Sequence, residues 1–310
     1  MKKFPSKFYT RRIRGSVLLL VLWALLLLSA VVFAWVKSIQ QDITIIHQAN
    51  SGLDARALAH SGTWLALHPL VTKLTPLLSA RFGPLRGYNV KLTGEGGKIN
   101  LNWLLQAADQ NPNMRLLLEN YLTRRGLSQH ERATLIDSML DWIQPGNTHH
   151  LNGMADSVTY KNAHRPFQSL DEVGKVNGSG PLVSKGGWKD DFTLYTQGPV
   201  DLLSASLLVL ESIPGIGDAR ATRFLNIRQG PDHRDGTKDD YVFKNDEEVA
   251  SYLGLTLEQY QALKNNGLVT TGDQTYHILS EGYSADVKRQ LEVVARKTGG
   301  TPVILYWKEI

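Results

Sequence analysis

Residues 11–37 carry the sequence RRIRGSVLLLVLWALLLLSAVVFAWVK. A basic segment and one glycine stand directly before the uncharged run 16–36. About 20 apolar residues can cross a bilayer as a helix, whereas secretory signal peptides have apolar cores of about 7–15 residues and a small-residue cleavage site. Because the basic residues lie on the N-terminal side, they orient the N-terminus toward the cytoplasm. The run therefore predicts a retained, single-pass membrane helix.

Composition excludes several kinds of site. The chain has 310 residues, 42% of them hydrophobic, and no cysteine, so it can bury a substantial core but holds neither disulfides nor Cys-ligated zinc. Six cations and no acids lie in residues 1–15, and removing those six from the net charge of +5 leaves −1 for the rest. A nearly neutral body predicts no nucleic-acid partner.

Helical spacing continues beyond the membrane segment. Apolar residues recur mostly every three or four positions from Ile39 to Leu67, and Pro69 ends the pattern. A helix over residues 16–68 would form a rod of roughly 80 Å at 1.5 Å per residue.

Two regions have the alternation typical of strands. Residues 88–104, YNVKLTGEGGKINLNWL, alternate around a glycine turn and predict a β-hairpin. Near the C-terminus we expect strands at about 274–282, 286–296 and 302–308. The long block between the two β regions is mostly helical in pattern.

That helical block contains an internal sequence repeat. FQSLDEVGKVNG at 167–178 and FKNDEEVASYLG at 243–254 share Phe, an N-cap residue, Glu, Val and Gly at identical spacing. Each predicts a capping box, a helix and a glycine stop, so the block is expected to hold two related helical units.

A second motif is LESIPGIGDARATRFLNIR at residues 210–228. Its PGIG sequence between two helical patterns is typical of a helix-hairpin-helix turn, where glycine N–H groups can hold a DNA phosphate. The other interpretation is a purely structural turn with Ile213 and Ile216 in the core. Acidic neighbours and the absence of a basic stripe favour the structural turn.

Acidic residues cluster around Gly236. Asp232, Asp235, Asp239 and Asp240 offer several carboxylates on one tight loop, which is the ligand type that Ca²⁺ prefers. The spacing is not that of an EF-hand, and a solvated acidic loop is the alternative.

The remaining candidates for a metal or catalytic site are the histidines and the known catalytic motifs. His149, His150 and His164 lie in a loop near Asp141 and Asp156, but no regular spacing of further ligands supports zinc, so surface or packing roles are favoured. No Ser-His-Asp spacing, phosphate loop or nucleophile elbow is present, and we predict that the chain is not an enzyme.

Several of these motifs, taken in order, resemble one family. A basic leader ending in Gly15 before an apolar helix resembles type IV prepilins. It is followed by GGKINLN (96–102), LIDSMLDWIQP (135–145), NAHRPFQSLDEV (162–173) and IPGIGDARATRFLNIR (213–228). Together they resemble the minor pseudopilin K family of type II secretion systems.

The resemblance implies an α+β pseudopilin fold, in which a long N-terminal helix lies on a small antiparallel sheet. A large, mostly helical inserted domain with a helix-hairpin-helix-like turn interrupts that fold. The implied divisions are a leader (1–15), a transmembrane helix (16–36), the pseudopilin helix with a first hairpin (37–102), the inserted domain (103–270) and C-terminal strands (271–310).

The resemblance also implies processing. A prepilin peptidase would cut between Gly15 and Ser16, leaving Ser16 as a methylated N-terminus. Most pseudopilins carry Glu at the fifth mature position, which is Leu20 here. Because the K subunits lack that Glu, Leu20 agrees with the resemblance.

The implied role is to cap the tip of a periplasmic pseudopilus with minor pseudopilins I and J, priming its assembly for protein secretion across the outer membrane. The implied location is the inner membrane, beside other pseudopilins and inner-membrane components of the system. The resemblance also implies bound calcium, with acidic residues usual after the DWI motif. Because acidic residues are sparse there in this sequence, the loop at 232–240 is the expected calcium site. The alternatives are a membrane-anchored DNA-binding protein of competence type and an assembly factor of type IV pili.

Overall fold

The computed structural model describes residues 14–146 and 149–310. Its first element is helix α1 (Arg14–Leu67), 54 residues long and therefore about 80 Å in length. The helix ends two residues before Pro69, as the sequence pattern predicts. Within it, Val17–Gln41 is long and apolar enough to cross a membrane by length and composition, with a mean hydropathy of 3.0 and no part of it buried.

The strands form one larger sheet and two short pairs. Their bounds are β1 (Ser79–Gly83), β2 (Arg86–Gly94), β3 (Ile99–Asn100), β4 (Phe192–Thr193), β5 (Val200–Asp201), β6 (Val269–Thr270), β7 (Thr275–Ser284), β8 (Val287–Arg296) and β9 (Val303–Glu309). In the described residues, an antiparallel sheet has the order β1-β2-β7-β8-β9. β3 pairs in parallel with β4, and β5 with β6.

The second half of α1 packs closely on this sheet. A Cβ atom on Gly282 would lie 2.0 Å from the carbonyl oxygen of Ala55, so glycine is required where β7 meets the helix. The Ser280 hydroxyl beside it donates to the carbonyl oxygen of Ala59 at 2.7 Å. Apolar side chains from α1 and from β2, β7 and β8 form one hydrophobic cluster, which includes Leu58 and Ile278.

The chain leaves the sheet after β2 and returns at β7, and the regular elements between them are mostly helices. Its helices are α2 (Leu101–Ala108), α3 (Pro112–Arg124), α4 (Gln129–Ile143), α5 (Gly180–Val183), α6 (Leu207–Ser212), α7 (Gly217–Arg228), α8 (Asp246–Leu253) and α9 (Leu257–Asn265). A separate hydrophobic cluster fills this segment, built around side chains such as Tyr121, Phe192 and Phe224. The domain boundaries at 103 and 270 stay a prediction.

The hairpin predicted over residues 88–104 is wrong. β2 pairs with β1 and β7, and the first hairpin is β1–β2, one strand earlier. Of the residues expected in the second strand, only Ile99–Asn100 form a strand, β3, which pairs with β4. The Asn100 side chain accepts a hydrogen bond from the Trp103 amide and caps α2, so the residues from Leu101 onward begin a helix.

The two repeated segments, 167–178 and 243–254, differ in conformation. The second forms α8, with Asn245 as its N-cap, but the first forms only a six-residue 3₁₀-helix, Leu170–Lys175. Gly174 stands where the second segment has Ala250, and a helix-interior glycine costs about 1 kcal/mol relative to alanine. The prediction of an α-helix in the first segment is therefore wrong.

Candidate functional site

The membrane end of α1 holds the predicted processing site. Helix α1 begins at Arg14, so the bond between Gly15 and Ser16 lies in its first turn, while residues 1–13 of the predicted leader lie outside the described residues. The Leu20 side chain is 71% exposed, among other exposed apolar side chains of the same segment. The cleavage site and the role of Leu20 stay predictions.

At the other end of α1 the inserted segment meets the helix. The ammonium group of Lys297, at the end of β8, donates to the carbonyl oxygens of Ala66 and Val71, each at 2.7 Å. In the loop that follows α1, Lys73 Nζ lies 2.9 Å from Asp240 Oδ2 of the insertion. The insertion therefore lies at the end of the helix farthest from the membrane segment.

The PGIG sequence forms a tight turn between α6 and α7. Gly215 and Gly217 have φ angles of +88° and +71°, the left-handed region that glycine adopts without strain. Ile213 and Ile216 are buried in the hydrophobic cluster of the insertion. These contacts support the structural interpretation of the turn, while its helix-hairpin-helix-like character stays a prediction.

Cations near this turn contact protein acceptors. Arg124 forms ion pairs with Glu211 at 3.0 Å and with Asp218. Arg223 donates to the backbone carbonyl oxygens of Ser251 and Tyr252. Because these guanidinium groups are already engaged, they form no ready phosphate-binding surface.

The acidic loop at 232–240 uses its carboxylates internally. Asp235 accepts two hydrogen bonds from the buried guanidinium group of Arg228, at 3.0 Å each, and Asp240 faces Lys73. Asp239 accepts from the amide of Asp232 at 3.1 Å, and the carboxylate of Asp232 accepts from the Arg234 amide at 2.8 Å.

This arrangement does not fit a calcium ion. Two of the four carboxylates already face protein cations, and among the described residues no group of three or more His, Asp or Glu side chains is placed to hold a metal. Calcium binding by Asp232, Asp235, Asp239 and Asp240 stays a prediction, and it requires the loop to rearrange.

Two arrangements in the structure have little or no signal in the sequence. The Lys297 contact with the end of α1 has no local sequence signal, because its partners lie more than 200 residues away. For the histidines after α4 the sequence predicts surface or packing roles, and the structure places His150 in contact with Asp141 and Asp109. The sequence signal for this contact is the closeness of His150 to Asp141 near the end of α4.

Comparison with known proteins adds to this geometry. A family model for type II secretion system protein K matches residues 97–185. The predicted resemblance to minor pseudopilin K is confirmed by this match together with the fold.

A solved structure shares the fold of this chain. A chain in the crystal structure of the GspK-GspI-GspJ complex from the enterotoxigenic Escherichia coli type 2 secretion system is similar, with a TM-score of 0.56 and 16% identity. The similarity covers 88% of this chain and 98% of that one. Among curated proteins, no sequence matches this chain.

These comparisons support a minor pseudopilin role in protein secretion. The protein K family is structural rather than enzymatic, in agreement with the prediction that the chain is not an enzyme. The apolar segment of α1 is consistent with a single-pass membrane anchor.

Proposed function

We propose that this chain is the minor pseudopilin that caps the tip of a type II secretion pseudopilus and primes its assembly. The observation that supports this most directly is the position of the inserted segment. It is contacted by Lys73, just beyond the end of α1, about 80 Å along the helix from its membrane-side start. A bulky helical block there would obstruct the stacking of another subunit above.

Leu20 supports the same position. A carboxylate in the hydrocarbon of the bilayer is costly unless it is paired, and a subunit at the tip has no subunit above it to supply a partner. Val17–Gln41 contains no acidic residue, so the segment carries no such cost.

The proposed partners are minor pseudopilins I and J, by analogy with the complex whose structure shares this fold. The chain would lie in the inner membrane with its N-terminus in the cytoplasm and its sheet and insertion in the periplasm. Prepilin peptidase and the other pseudopilins and inner-membrane components of the system are the further proposed partners.

The direct test is co-purification of the full-length chain with I and J from detergent-solubilised membranes. We expect a ternary complex that survives gel filtration at micromolar concentrations. A pull-down in which neither partner is retained would overturn the tip assignment. A gel-shift assay with duplex DNA is the second measurement, and sub-micromolar binding at physiological salt would favour the competence-type alternative.

A further inference from the structure

The segment that follows α4 is fastened to that helix by carboxylates. We call residues 149–164 the strap; they contain neither helix nor strand. Asp141 Oδ1 accepts from the His150 amide at 2.9 Å, and Asp137 Oδ2 accepts from both the amide and the side chain of Asn152, at 3.0 and 2.8 Å. The strap therefore depends on two buried acids near the C-terminal end of α4.

His150 lies between two carboxylates. Its Nδ1 atom is 2.7 Å from Asp141 Oδ1, and its Nε2 atom is 3.3 Å from Asp109 Oδ1, just after α2. A neutral imidazole has a single N–H donor, and an ionised carboxylate can only accept. Both contacts are hydrogen bonds only when the ring is an imidazolium.

The environment of Asp141 strengthens this pair. Its side chain is 1% exposed, and its second oxygen, Oδ2, has no hydrogen-bond partner among the described residues. A buried carboxylate with an unsatisfied oxygen gains more from a neighbouring positive charge than an exposed one, because water does not screen the interaction.

His164 repeats the arrangement at the other end of the strap. Its Nδ1 atom lies 2.7 Å from the carbonyl oxygen of Gln144, and its Nε2 atom lies 3.4 Å from Asp156 Oδ1. The residue has a φ of +49°, which is uncommon for a residue with a side chain and must be held by its surroundings. Again both ring nitrogens face acceptors.

The charges around the two rings favour protonation. Burial acts to lower the pKa of His150, but the hydrogen bond to Asp141 and the charges of Asp109 and Asp141 outweigh it, so the pKa is raised. The contact with Gln144 is the largest cause of the raised pKa of His164, followed by burial, which opposes it, and then by Asp156.

Other charged groups face the strap as well. Lys161 lies 3.5 Å from Asp156 and acts against protonation of His164, while Arg115 pairs with Asp137 at 2.6 Å. The pKa of Tyr160 is raised, mainly by burial and further by the charges of Asp141 and Asp156, so this phenol is uncharged at neutral pH.

We propose that protonation controls how firmly the strap is held against α4. The imidazolium forms of His150 and His164 hold the strap closed, and it is released when they lose their protons. A histidine whose pKa is higher in the closed state stabilises that state fully below its open-state pKa of about 6.5. This contribution is lost as the pH rises through the higher closed-state pKa. The strap is therefore held firmly against α4 at mildly acidic pH and weakly at alkaline pH. This pH dependence does not rest on the proposed role at the tip of a pseudopilus.

Hydrogen exchange on the full-length protein in detergent tests this directly, with chelator present so that metal ions play no part. Protection factors for strap peptides, corrected for the intrinsic pH dependence of exchange, should fall as the pH rises from about 6 to 9. The expected change is about tenfold per histidine for each pH unit that separates its closed-state and open-state pKa values.

Three variants complete the experiment. His150→Gln and His164→Gln keep one donor but cannot be protonated, so in the double variant strap protection should be low and independent of pH. His149→Gln is the matched control, because His149 is adjacent and exposed, and it should behave as the unchanged protein does. Strap protection that is flat with pH in the unchanged protein would overturn the proposal.

Nuclear magnetic resonance of the histidine rings in the unchanged protein gives an answer even where the variants do not fold. Titration of His150 and His164 above pH 6.5 supports the proposal, and titration of both below 6.5 contradicts it.

Discussion

The Lys297 side chain links the end of α1 to the sheet. The last carbonyl groups of a helix have no partner within the helix, and in this chain a buried ammonium group supplies one for Ala66 and, just beyond the helix, for Val71. The cation also complements the negative end of the helix dipole. It lies 4.9 Å from the centre of the Tyr276 ring, which favours the charge further.

Lys297→Met keeps most of the side-chain volume but removes the donor. Two buried carbonyl oxygens would then lose their partner, and we expect the free energy of unfolding to fall by about 1–3 kcal/mol. Lys91→Met, at an exposed position of β2, is the control and should change it by less than about 0.5 kcal/mol. Chemical denaturation of both variants measures the difference; equal stability would mean that Lys297 contributes no net stabilisation.

At the scale of the element, α1 is one helix in two environments. Its first part, Val17–Gln41, has no buried residues, while its C-terminal part packs on the sheet. The length and hydropathy of the first part are consistent with a single-pass membrane anchor.

We expect a prepilin peptidase to remove residues 1–15 and leave Ser16 as the methylated N-terminus. The basis is the basic leader directly before an uninterrupted apolar helix. Intact-mass measurement of protein from cells with active peptidase should show the loss of 15 residues, and Gly15→Leu should abolish it. Full-length mass for the unchanged protein in those cells would refute this prediction.

Within the part of the chain that the structure describes, one hydrophobic cluster lies under the sheet and another within the insertion. The acidic loop contacts both parts of the molecule, since Asp240 pairs with Lys73 beyond α1 and Asp235 pairs with Arg228 in α7. Calcium binding to this loop would therefore act on the join between the sheet and the insertion.

If the loop rearranges to bind Ca²⁺, as the sequence predicts, the melting temperature should rise, because a ligand that binds only the folded form stabilises it by about 2.7 kcal/mol at a hundredfold excess over Kd. Lys73 competes for Asp240, so Lys73→Met should increase the Ca²⁺-dependent rise. Lys91→Met serves again as the control. Melting curves of all three proteins that stay unchanged in millimolar Ca²⁺ would contradict calcium binding.

Much of the α1 and sheet architecture could be predicted locally. The apolar run and its helical continuation predicted α1 to within two residues of its observed bounds, because helix period and a terminating proline are properties of neighbouring residues. The three C-terminal strands followed from alternation for the same reason. Burial of Ile213 and Ile216 agreed with the structural interpretation of the PGIG turn.

Tertiary structure alone decided which segments pair and which charges meet. β2 pairs with β7 across nearly 200 residues, while the expected hairpin partner becomes the start of α2. Asp235 and Asp240 face Arg228 and Lys73 rather than one another, and His150 is enclosed by two acids. Periodicity and helix caps could be predicted because they depend on residues a few positions apart. Strand partners and charge contacts depend on packing between distant segments, and local spacing carries no information about it.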